Sequence, residues 1–251
     1  SEPYVMGSHA TGSGAWCSGP EDISPPEYFW GYNRMTSVEG LFGAGDAVGG
    51  TPHAFSSGSF TEGRLAAKAA CKYIDDGKGE GIVVSDAQIN RRKEEIYKPL
   101  EHYRIHRNAI VAGDVNPHYI NPKQGLDRLQ KLMDEYCGGA TVNYMTNEKL
   151  LNIGLKKLAI MEEDLENLAA KDVHELLRAW ELKHRHRAAE CVTQHTLFRK
   201  ETRWPGYYYR GDAMKVDDEN WHVLTVSRRD PKTGEYTMEK APCYHLVADE
   251  K

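Results

Sequence analysis

The sequence is poor in the features that mark several large classes of protein. Only 5 of its 251 residues are cysteine, and they are scattered, odd in number and without a C-x-x-C pair. This usage argues against zinc or iron–sulfur ligation within the chain and is typical of reduced thiols. The opening residues also show no signal peptide, so the sequence predicts a cytoplasmic protein.

Positive charge and long apolar runs are scarce as well. The 32 basic residues are outnumbered by 37 acidic ones, which leaves a net charge of −5. Without a basic excess, the chain is not expected to bind nucleic acid through phosphate contacts. No apolar run approaches the roughly 18 residues that a membrane-spanning helix needs, so we expect no membrane span.

The most informative stretch runs from Gly40 to Gly63 and reads GLFGAGDAVGGTPHAFSSGSFTEG. Leu41-Phe42 predicts a short strand, which enters a turn of small residues and ends on the carboxylate of Asp46. A second turn from His53 to Gly58 opens into a helical pattern from Ser59 to Tyr73. The second cofactor motif of flavoproteins typically has this order, in which a glycine-rich turn is followed by an acid and then by the N-terminus of a helix.

In that interpretation the carboxylate accepts a hydrogen bond from a ribityl hydroxyl, and backbone N–H groups face the pyrimidine edge of FAD. The alternatives are a plain strand-end turn for Asp46 and an ordinary N-cap at the start of the helix. The cofactor-binding candidates are Gly7, Ser8, Ala44, Gly45, Asp46, His53, Ser57, Gly58 and Ser59.

Composition and hydrophobic periodicity divide the chain into two parts. Residues 1–84 predict the C-terminal half of an FAD-binding domain, an α/β Rossmann-like remnant. Residues 85–251 predict an α-helical bundle domain with an irregular C-terminal extension, in which residues 224–238 look like a hairpin. Four apolar stripes predict helices with one face in the core, and Pro99 predicts a kink in the first of them. Their members are Ile89, Ile96, Leu100 and Tyr103; Leu126, Leu129, Leu132, Met133 and Tyr136; Leu151, Leu155, Leu158 and Leu165; and Val173, Leu176, Leu177 and Trp180.

The order of these motifs resembles the succinate dehydrogenase/fumarate reductase flavoprotein family. GLFGAGDAVGG and SFTEGRLAAKAA are followed by the bundle and then by FRKETRWPGYYYRGDAMKVDDENW. The last string resembles the family pattern R-x-E-S-R-x-x-x-x-R-x-D-x-x-x-x-D-x-x-x-W. The resemblance covers essentially the whole chain and implies the C-terminal part of a longer flavoprotein subunit, with the GxGxxG segment and the capping domain outside this sequence.

Two departures argue against a dicarboxylate as substrate. The position of the family's substrate histidine, in H-T-M-G-G, aligns with Tyr4, and a histidine follows only at His9. The family's catalytic arginine, in H-G-x-N-R-x-G, has no counterpart, because Ser56 follows directly after His53-Ala54-Phe55. A dicarboxylate enzyme needs that guanidinium to hold and protonate its substrate.

The strings MGSHATGSGAW, GTPHAFSSGSFTEGRLAAKAA and RWPGYYYRGDA look like one branch of the family, whose members reduce adenylylsulfate to sulfite and AMP through a flavin N5–sulfite adduct. This resemblance implies FAD as cofactor and a heterodimer with a beta subunit that carries the iron–sulfur clusters. It also implies a catalytic role for His9, whose imidazole would donate to a sulfate oxygen or to the leaving phosphate.

Other interpretations stay open from the sequence alone. The chain could belong to another flavoprotein of the same superfamily, or be a helical interaction module whose glycine-rich loop is incidental. His9 could be a packing residue, as lone histidines often are. The helical histidines have no metal-binding geometry, so we predict no metal site. The tail is expected to be fastened to the bundle or to the flavin domain by salt bridges among its arginines and acids, which are Arg199, Arg203, Arg210, Glu201, Asp212 and Asp217.

Overall fold

A computed structural model of the chain describes residues 13–49, 56–109, 116–203 and 208–244. The chain divides into two compact units. The first comprises Ser1–Val83 with Tyr244–Lys251, and the second comprises Val84–Cys243. The assignment of the first unit to an FAD-binding domain stays a prediction.

Among its described residues, the first unit consists of loops and one long helix, α1 (Ser56–Asp75). The described loops are joined by isolated bridges, which connect Ala15 with Val48, Cys17 with Thr36 and Met35 with Phe42. The helix predicted from Ser59 to Tyr73 is therefore confirmed, with an extra turn at its start. Gly77, at φ +71°, follows its end in the left-handed conformation that a glycine adopts without strain.

The second unit is a helical bundle with small sheets. Its helices are α2 (Asp86–His106), α3 (Pro122–Tyr136), α4 (Glu148–Leu165), α5 (Val173–Phe198) and the short α6 (Asp218–Trp221). Two parallel residue pairs join β1 (Met145–Thr146) to β2 (Tyr209–Arg210). The predicted hairpin is confirmed as the antiparallel pair β3 (Val223–Arg229) and β4 (Tyr236–Pro242).

The core of this unit lies between α3, α4 and α5. It contains Leu129, Leu132, Leu158, Met161, Leu165, Leu168, Ala179, Leu182 and Ala189. Each fully buried leucine contributes roughly 1.5–3 kcal/mol, which makes these three helices the stable centre of the unit. Side-chain caps define the helix starts, as at Asp172, which accepts hydrogen bonds from His174 N and Glu175 N at 3.0 and 2.9 Å.

Two of the predicted apolar stripes are wrong in part. Ile89 and Ile96 of α2 are 40% and 43% exposed, and every residue from 86 to 98 is exposed. In α5, Val173 and Leu177 are also exposed, at 65% and 57%. Helical spacing put these residues on an apolar face, but no neighbouring helix of the described chain covers that face.

The helix α2 runs continuously through Pro99, which is buried. Pro99 has no N–H to donate to Glu95, so the hydrogen-bond ladder is interrupted there. Neighbouring groups use the carbonyls around the interruption. The Trp180 indole donates to Ile96 O at 3.0 Å, and Ala170 N donates to Pro99 O at 2.9 Å.

Candidate functional site

The described residues include six of the ten residues predicted for the site. Ala44, Gly45 and Asp46 lie in a tight turn, and Ser57, Gly58 and Ser59 lie in the first turn of α1. The remaining four, Gly7, Ser8, His9 and His53, lie outside the described residues.

The structure brings these two segments into contact. Gly45–Ala47 forms a single 3₁₀ turn in which Val48 N donates to Gly45 O at 3.0 Å. Gly45 is buried and has φ +63°. A Cβ atom at Gly45 would lie 3.2 Å from Ser59 Oγ and 3.7 Å from Ser59 Cα. Backbone conformation and close packing therefore both favour glycine where the turn meets the helix.

Asp46 follows this contact on the exposed side of the turn. Within the described part of the chain, its carboxylate has neither a hydrogen bond nor an ion pair. An exposed acid beside bare backbone can accept hydrogen bonds from a ligand without first breaking an internal one. Meanwhile the first N–H groups of α1 have no acceptor within the helix, so they point their partial positive charge out of its N-terminal end.

A second glycine, Gly14, also lies close to this turn, and it brings the chain that follows the predicted residue His9 to the site. Ala15 N donates to Ala47 O at 2.7 Å, and Gly49 N donates to Ala15 O at 2.9 Å. A Cβ atom at Gly14 would lie 2.6 Å from Ala47 O, so only glycine fits there without displacement. Gly14 was not among the predicted site residues, although its place in the string GSGAW is a signal of close backbone approach.

An ion pair behind the turn was also missed. Arg34 Nη2 donates to Glu62 Oε1 at 2.7 Å, where the Arg34 and Glu62 side chains are 18% and 9% exposed. The thiol of Cys17 lies nearby. Burial raises its pKa, against the smaller opposing effect of the Arg34 charge. Residues far apart in sequence form this group, and helical periodicity gives no sign of such pairing.

A cavity of about 610 Å³ in the first unit lies elsewhere. Phe29, Trp30, Tyr32, Lys72 and Asp76 are among its lining residues. None of the described site candidates lines it. Volume alone therefore does not identify the site, and the contact between Gly45 and Ser59 is the more specific observation.

The predicted salt bridges of the tail are present in the second unit. Glu201 is fully buried and accepts hydrogen bonds from Arg199 Nη1, Arg203 Nε and Asp217 N at 2.5, 2.6 and 2.9 Å. Burial raises the pKa of Glu201, but the hydrogen bonds from Arg203, Asp217 and Arg199 outweigh it and leave the pKa below its usual range. These contacts fasten the tail to the bundle.

Arg210, another charge of this network, is also almost fully buried, at 1% exposure. Its Nη1 donates to three carbonyls at the end of α5, those of Thr196, Leu197 (3.2 Å) and Arg199 (2.8 Å). Its Nε and Nη2 donate to Asp212 Oδ1 and Oδ2 at 2.9 and 3.0 Å. The guanidinium thus satisfies a helix C-terminus, where a positive charge is favourable.

Asp212 completes the link to a second helix. It accepts a hydrogen bond from Glu148 N, at the start of α4, at 2.9 Å. The hydrogen bonds from Arg210, followed by the contact with Glu148 N, lower the pKa of Asp212 to about 2 against partial burial. One Arg–Asp pair therefore joins the end of α5 to the beginning of α4.

Two histidines of the bundle, His186 and His195, have structural partners. Nε2 of the buried His186 lies 2.8 Å from Leu158 O. The His195 ring nitrogens lie 2.9 Å from Thr225 Oγ1 and 2.9 Å from Ser227 Oγ, which fixes the hairpin on α5. Burial, followed by the nearby Arg199 charge, lowers the pKa of His195. Among the described residues, no group of three or more His, Cys, Asp or Glu side chains can hold a metal ion.

Comparison with known proteins places this geometry in a family. Residues 126–247 match the family model described as the fumarate reductase flavoprotein C-terminal domain. The adenylylsulfate reductase alpha subunit of Megalodesulfovibrio gigas is 41% identical over 98% of the chain. The chain belongs to the fumarate reductase flavoprotein family. The family model covers the helical second unit from residue 126 onward and does not include α2.

Solved structures agree with this family assignment. The adenylylsulfate reductase of Archaeoglobus fulgidus superimposes with a TM-score of 0.91 at 49% identity and covers 99% of the chain. A structure described as adenosine-5-phosphosulfate reductase in complex with sulfite as a covalent adduct superimposes with a TM-score of 0.90, also at 49% identity. The chain spans 38% of the M. gigas subunit and 39% of the A. fulgidus chain.

The described helices were also compared with the requirements of a bilayer. None of them combines the length and the apolar character that a membrane-spanning helix requires. This agrees with the absence of long apolar runs in the sequence.

Proposed function

We propose that this chain is part of the flavoprotein subunit of an adenylylsulfate reductase, which uses FAD to reduce adenylylsulfate to sulfite and AMP. The observation that carries the proposal is the contact of Gly45 with Ser59, in a chain 49% identical to an adenylylsulfate reductase of known structure. The first unit would then be the C-terminal half of a Rossmann-like FAD-binding domain.

The described residues fit a flavin. Gly45 offers backbone without a side chain, and the Asp46 carboxylate is exposed and has no partner in the described part of the chain. The first turn of α1, which contains Ser57, Gly58 and Ser59, lies next to Gly45. Asp46 would accept a hydrogen bond from a ribityl hydroxyl, and the N–H groups of the helix start would face the pyrimidine edge. Gly7, Ser8 and His53 are proposed as further backbone or side-chain contacts.

The proposed reaction breaks the bond between the sulfate sulfur and the bridging phosphate oxygen. AMP leaves, and two electrons reduce the sulfur to the oxidation state of sulfite. When bound, FAD supplies these electrons to the substrate. His9 is the proposed catalytic residue, whose imidazole donates a proton to a sulfate oxygen or to the leaving phosphate. The same groups can serve the reverse reaction.

The source of the electrons follows from the likeness to known reductases. The chain is 41% identical to an adenylylsulfate reductase alpha subunit, a name that itself refers to one subunit of a larger enzyme. We propose a heterodimer, or a larger assembly, with a beta subunit that carries the iron–sulfur clusters and passes electrons to the flavin. A cytoplasmic location is part of the same proposal.

A dicarboxylate reductase is the second candidate function, because the family model is that of fumarate reductase flavoproteins. Against it, no arginine follows His53 at the family's catalytic position, and Ser56 begins α1 instead. A site for two carboxylates without that guanidinium lacks both a clamp and a proton donor.

Two measurements on the complete gene product test the proposal. Its absorption spectrum should show bound flavin, and added sulfite should bleach the flavin absorbance. Adenylylsulfate should oxidise the reduced protein, whereas fumarate should not. A flavin spectrum with oxidation by fumarate alone would favour the dicarboxylate enzyme. A gene product that binds no flavin would refute both.

A further inference from the structure

The ion pair between Arg34 and Glu62 lies directly behind the candidate flavin site. In addition to the hydrogen bond described above, Arg34 Nε lies 2.6 Å from Glu62 Oε2. Because the desolvation of two charges is costly, a buried ion pair adds little net stability compared with apolar packing. Its more specific effect is to hold the two segments that carry the charges in one arrangement.

Glu62 lies on α1, which forms one side of the site, and Arg34 is bound to the chain that leads into the turn on the other side. The backbone of Arg34 is bound on both sides: its N–H donates to Ser18 O at 2.8 Å, and its carbonyl accepts from Gly43 N at 2.9 Å. Gly43 leads directly into the turn with Gly45. Arg34 itself has φ +65°, a conformation that costs a non-glycine residue energy and requires fixed surroundings.

Glu62 provides the other end of the link. It lies on α1 three residues after Ser59, which is about 4.5 Å further along the helix axis. The turn thus contacts the helix directly where Gly45 meets Ser59, and it is linked to the helix a second time through Gly43, Arg34 and the ion pair at Glu62. Contact at two points fixes the angle of the helix start as well as its distance from the turn.

We propose that Arg34 and Glu62 are positioning residues, which hold the N-terminal turn of α1 at the flavin while keeping the net charge behind it at zero. This inference rests on the proposed function. Loss of either residue would leave one charge unpaired about one helical turn from the segment that faces the pyrimidine edge. Because reduced flavin is anionic there, an unpaired guanidinium would stabilise the reduced form, and an unpaired carboxylate would destabilise it.

The test uses Glu62→Gln, Arg34→Gln and the double variant in the complete gene product. Each single variant should weaken FAD binding roughly tenfold. Glu62→Gln should raise the midpoint potential of the flavin, and Arg34→Gln should lower it. The double variant should return the potential close to that of the unaltered protein, although its FAD affinity stays reduced. Arg34→Lys, which keeps the charge, should leave the potential nearly unchanged.

A matched control exists at the other end of α1. Lys72 and Asp76 form an exposed ion pair at 2.7 Å, so Lys72→Gln and Asp76→Asn remove the same charges far from Ser59. Neither should change FAD affinity or potential. Equal potential shifts in the control variants, or shifts of one sign in both Arg34→Gln and Glu62→Gln, would overturn the inference. So would unchanged FAD affinity in the two single variants. If the unaltered gene product lacks FAD, the proposed function fails and this inference fails with it.

Discussion

Replacing Arg210 by methionine should destabilise the helical unit strongly. The side chain keeps a similar length but loses a guanidinium that is 1% exposed and joins two helices. In the Arg210→Met variant, three carbonyls at the end of α5 lose their donor, and Asp212 loses both of its charged hydrogen bonds. Removal of one partner from a buried pair costs about 3–5 kcal/mol.

Where the cost of Arg210→Met lies within the range of about 3–5 kcal/mol depends on how well water can reach Asp212 and the α5 carbonyls once the guanidinium is gone. Asp212 is 34% exposed, so water can replace part of what it loses, and it keeps the bond from Glu148 N. The α5 carbonyls accept from an arginine in the interior and are less accessible to water. We therefore expect a loss of about 3 kcal/mol or more in the free energy of unfolding. Arg210→Lys should lie in between, because one ammonium cannot serve the carbonyls and both carboxylate oxygens.

Urea unfolding followed by helical circular dichroism measures this loss, with the slope expected to stay unchanged. The control is Arg178→Met, since the Arg178 side chain is 65% exposed and its pair with Glu181 lies at the surface. That change should cost less than about 1 kcal/mol. If Arg210→Met costs no more than Arg178→Met, the guanidinium does not hold the two helices together, and the reasoning fails.

Three further predictions concern single side chains. The pKa of Asp212 lies near 2 rather than at its ordinary 3.8, so its contribution to stability is complete above about pH 4 and is lost as the pH falls through about 2. The difference between these two pKa values corresponds to about 2.4 kcal/mol, and solvent screening at a one-third exposed group reduces it to about 1–2 kcal/mol. When the free energy of unfolding is measured during acid titration, this contribution of Asp212 should be lost in the unaltered chain and should be missing from the titration of Asp212→Asn. Asp46→Ala should weaken FAD binding to the complete gene product by about 1.5–3 kcal/mol, whereas an unchanged dissociation constant would make Asp46 only a turn residue. His9→Ala should leave FAD content normal and lower turnover of adenylylsulfate about 10²–10⁴-fold, and a fall of less than about threefold at saturating substrate would make His9 a packing residue.

Local sequence signals predicted the elements whose causes are local. The apolar spacing from Val173 predicted α5, and the pattern of residues 224–238 predicted the hairpin. In the structure Asp172 caps the start of α5 and Asp230 binds the hairpin turn, and both contacts are made with residues a few positions away. The spacing of Leu151, Leu158 and Leu165 predicted a buried face of α4, which is at most 4% exposed at these residues. Such patterns act within one or two helical turns.

Features that depend on distant partners were predicted less well. Helical spacing placed Ile89 and Ile96 in the core, but spacing does not reveal whether another element covers the face. The Arg34–Glu62 pair joins residues 28 positions apart, and no sequence pattern in either segment predicts that they pair. Of the site, the sequence predicted that Gly45, Asp46 and Ser59 act together, and the contact between Gly45 and Ser59 agrees with this. The roles of these residues toward FAD stay predictions.

The interruption of α2 at Pro99 has a consequence for how the bundle opens. Unwinding the residues before Pro99 exposes little new apolar surface, because they are already exposed. It also has one hydrogen bond fewer to break, because Pro99 has no N–H to donate to Glu95. These residues are held helical by the capping box of Ser85 with Gln88 and by the hydrogen bonds of the helix itself. Two tertiary contacts add to this near the end of the segment, from the Trp180 indole to Ile96 O and from Lys98 to Glu166. Opening of this segment therefore requires much less free energy than opening α4, whose Leu151 is fully buried. The bundle divides into a segment that opens locally, with fast amide hydrogen exchange, and a centre whose amides exchange only when the whole unit unfolds.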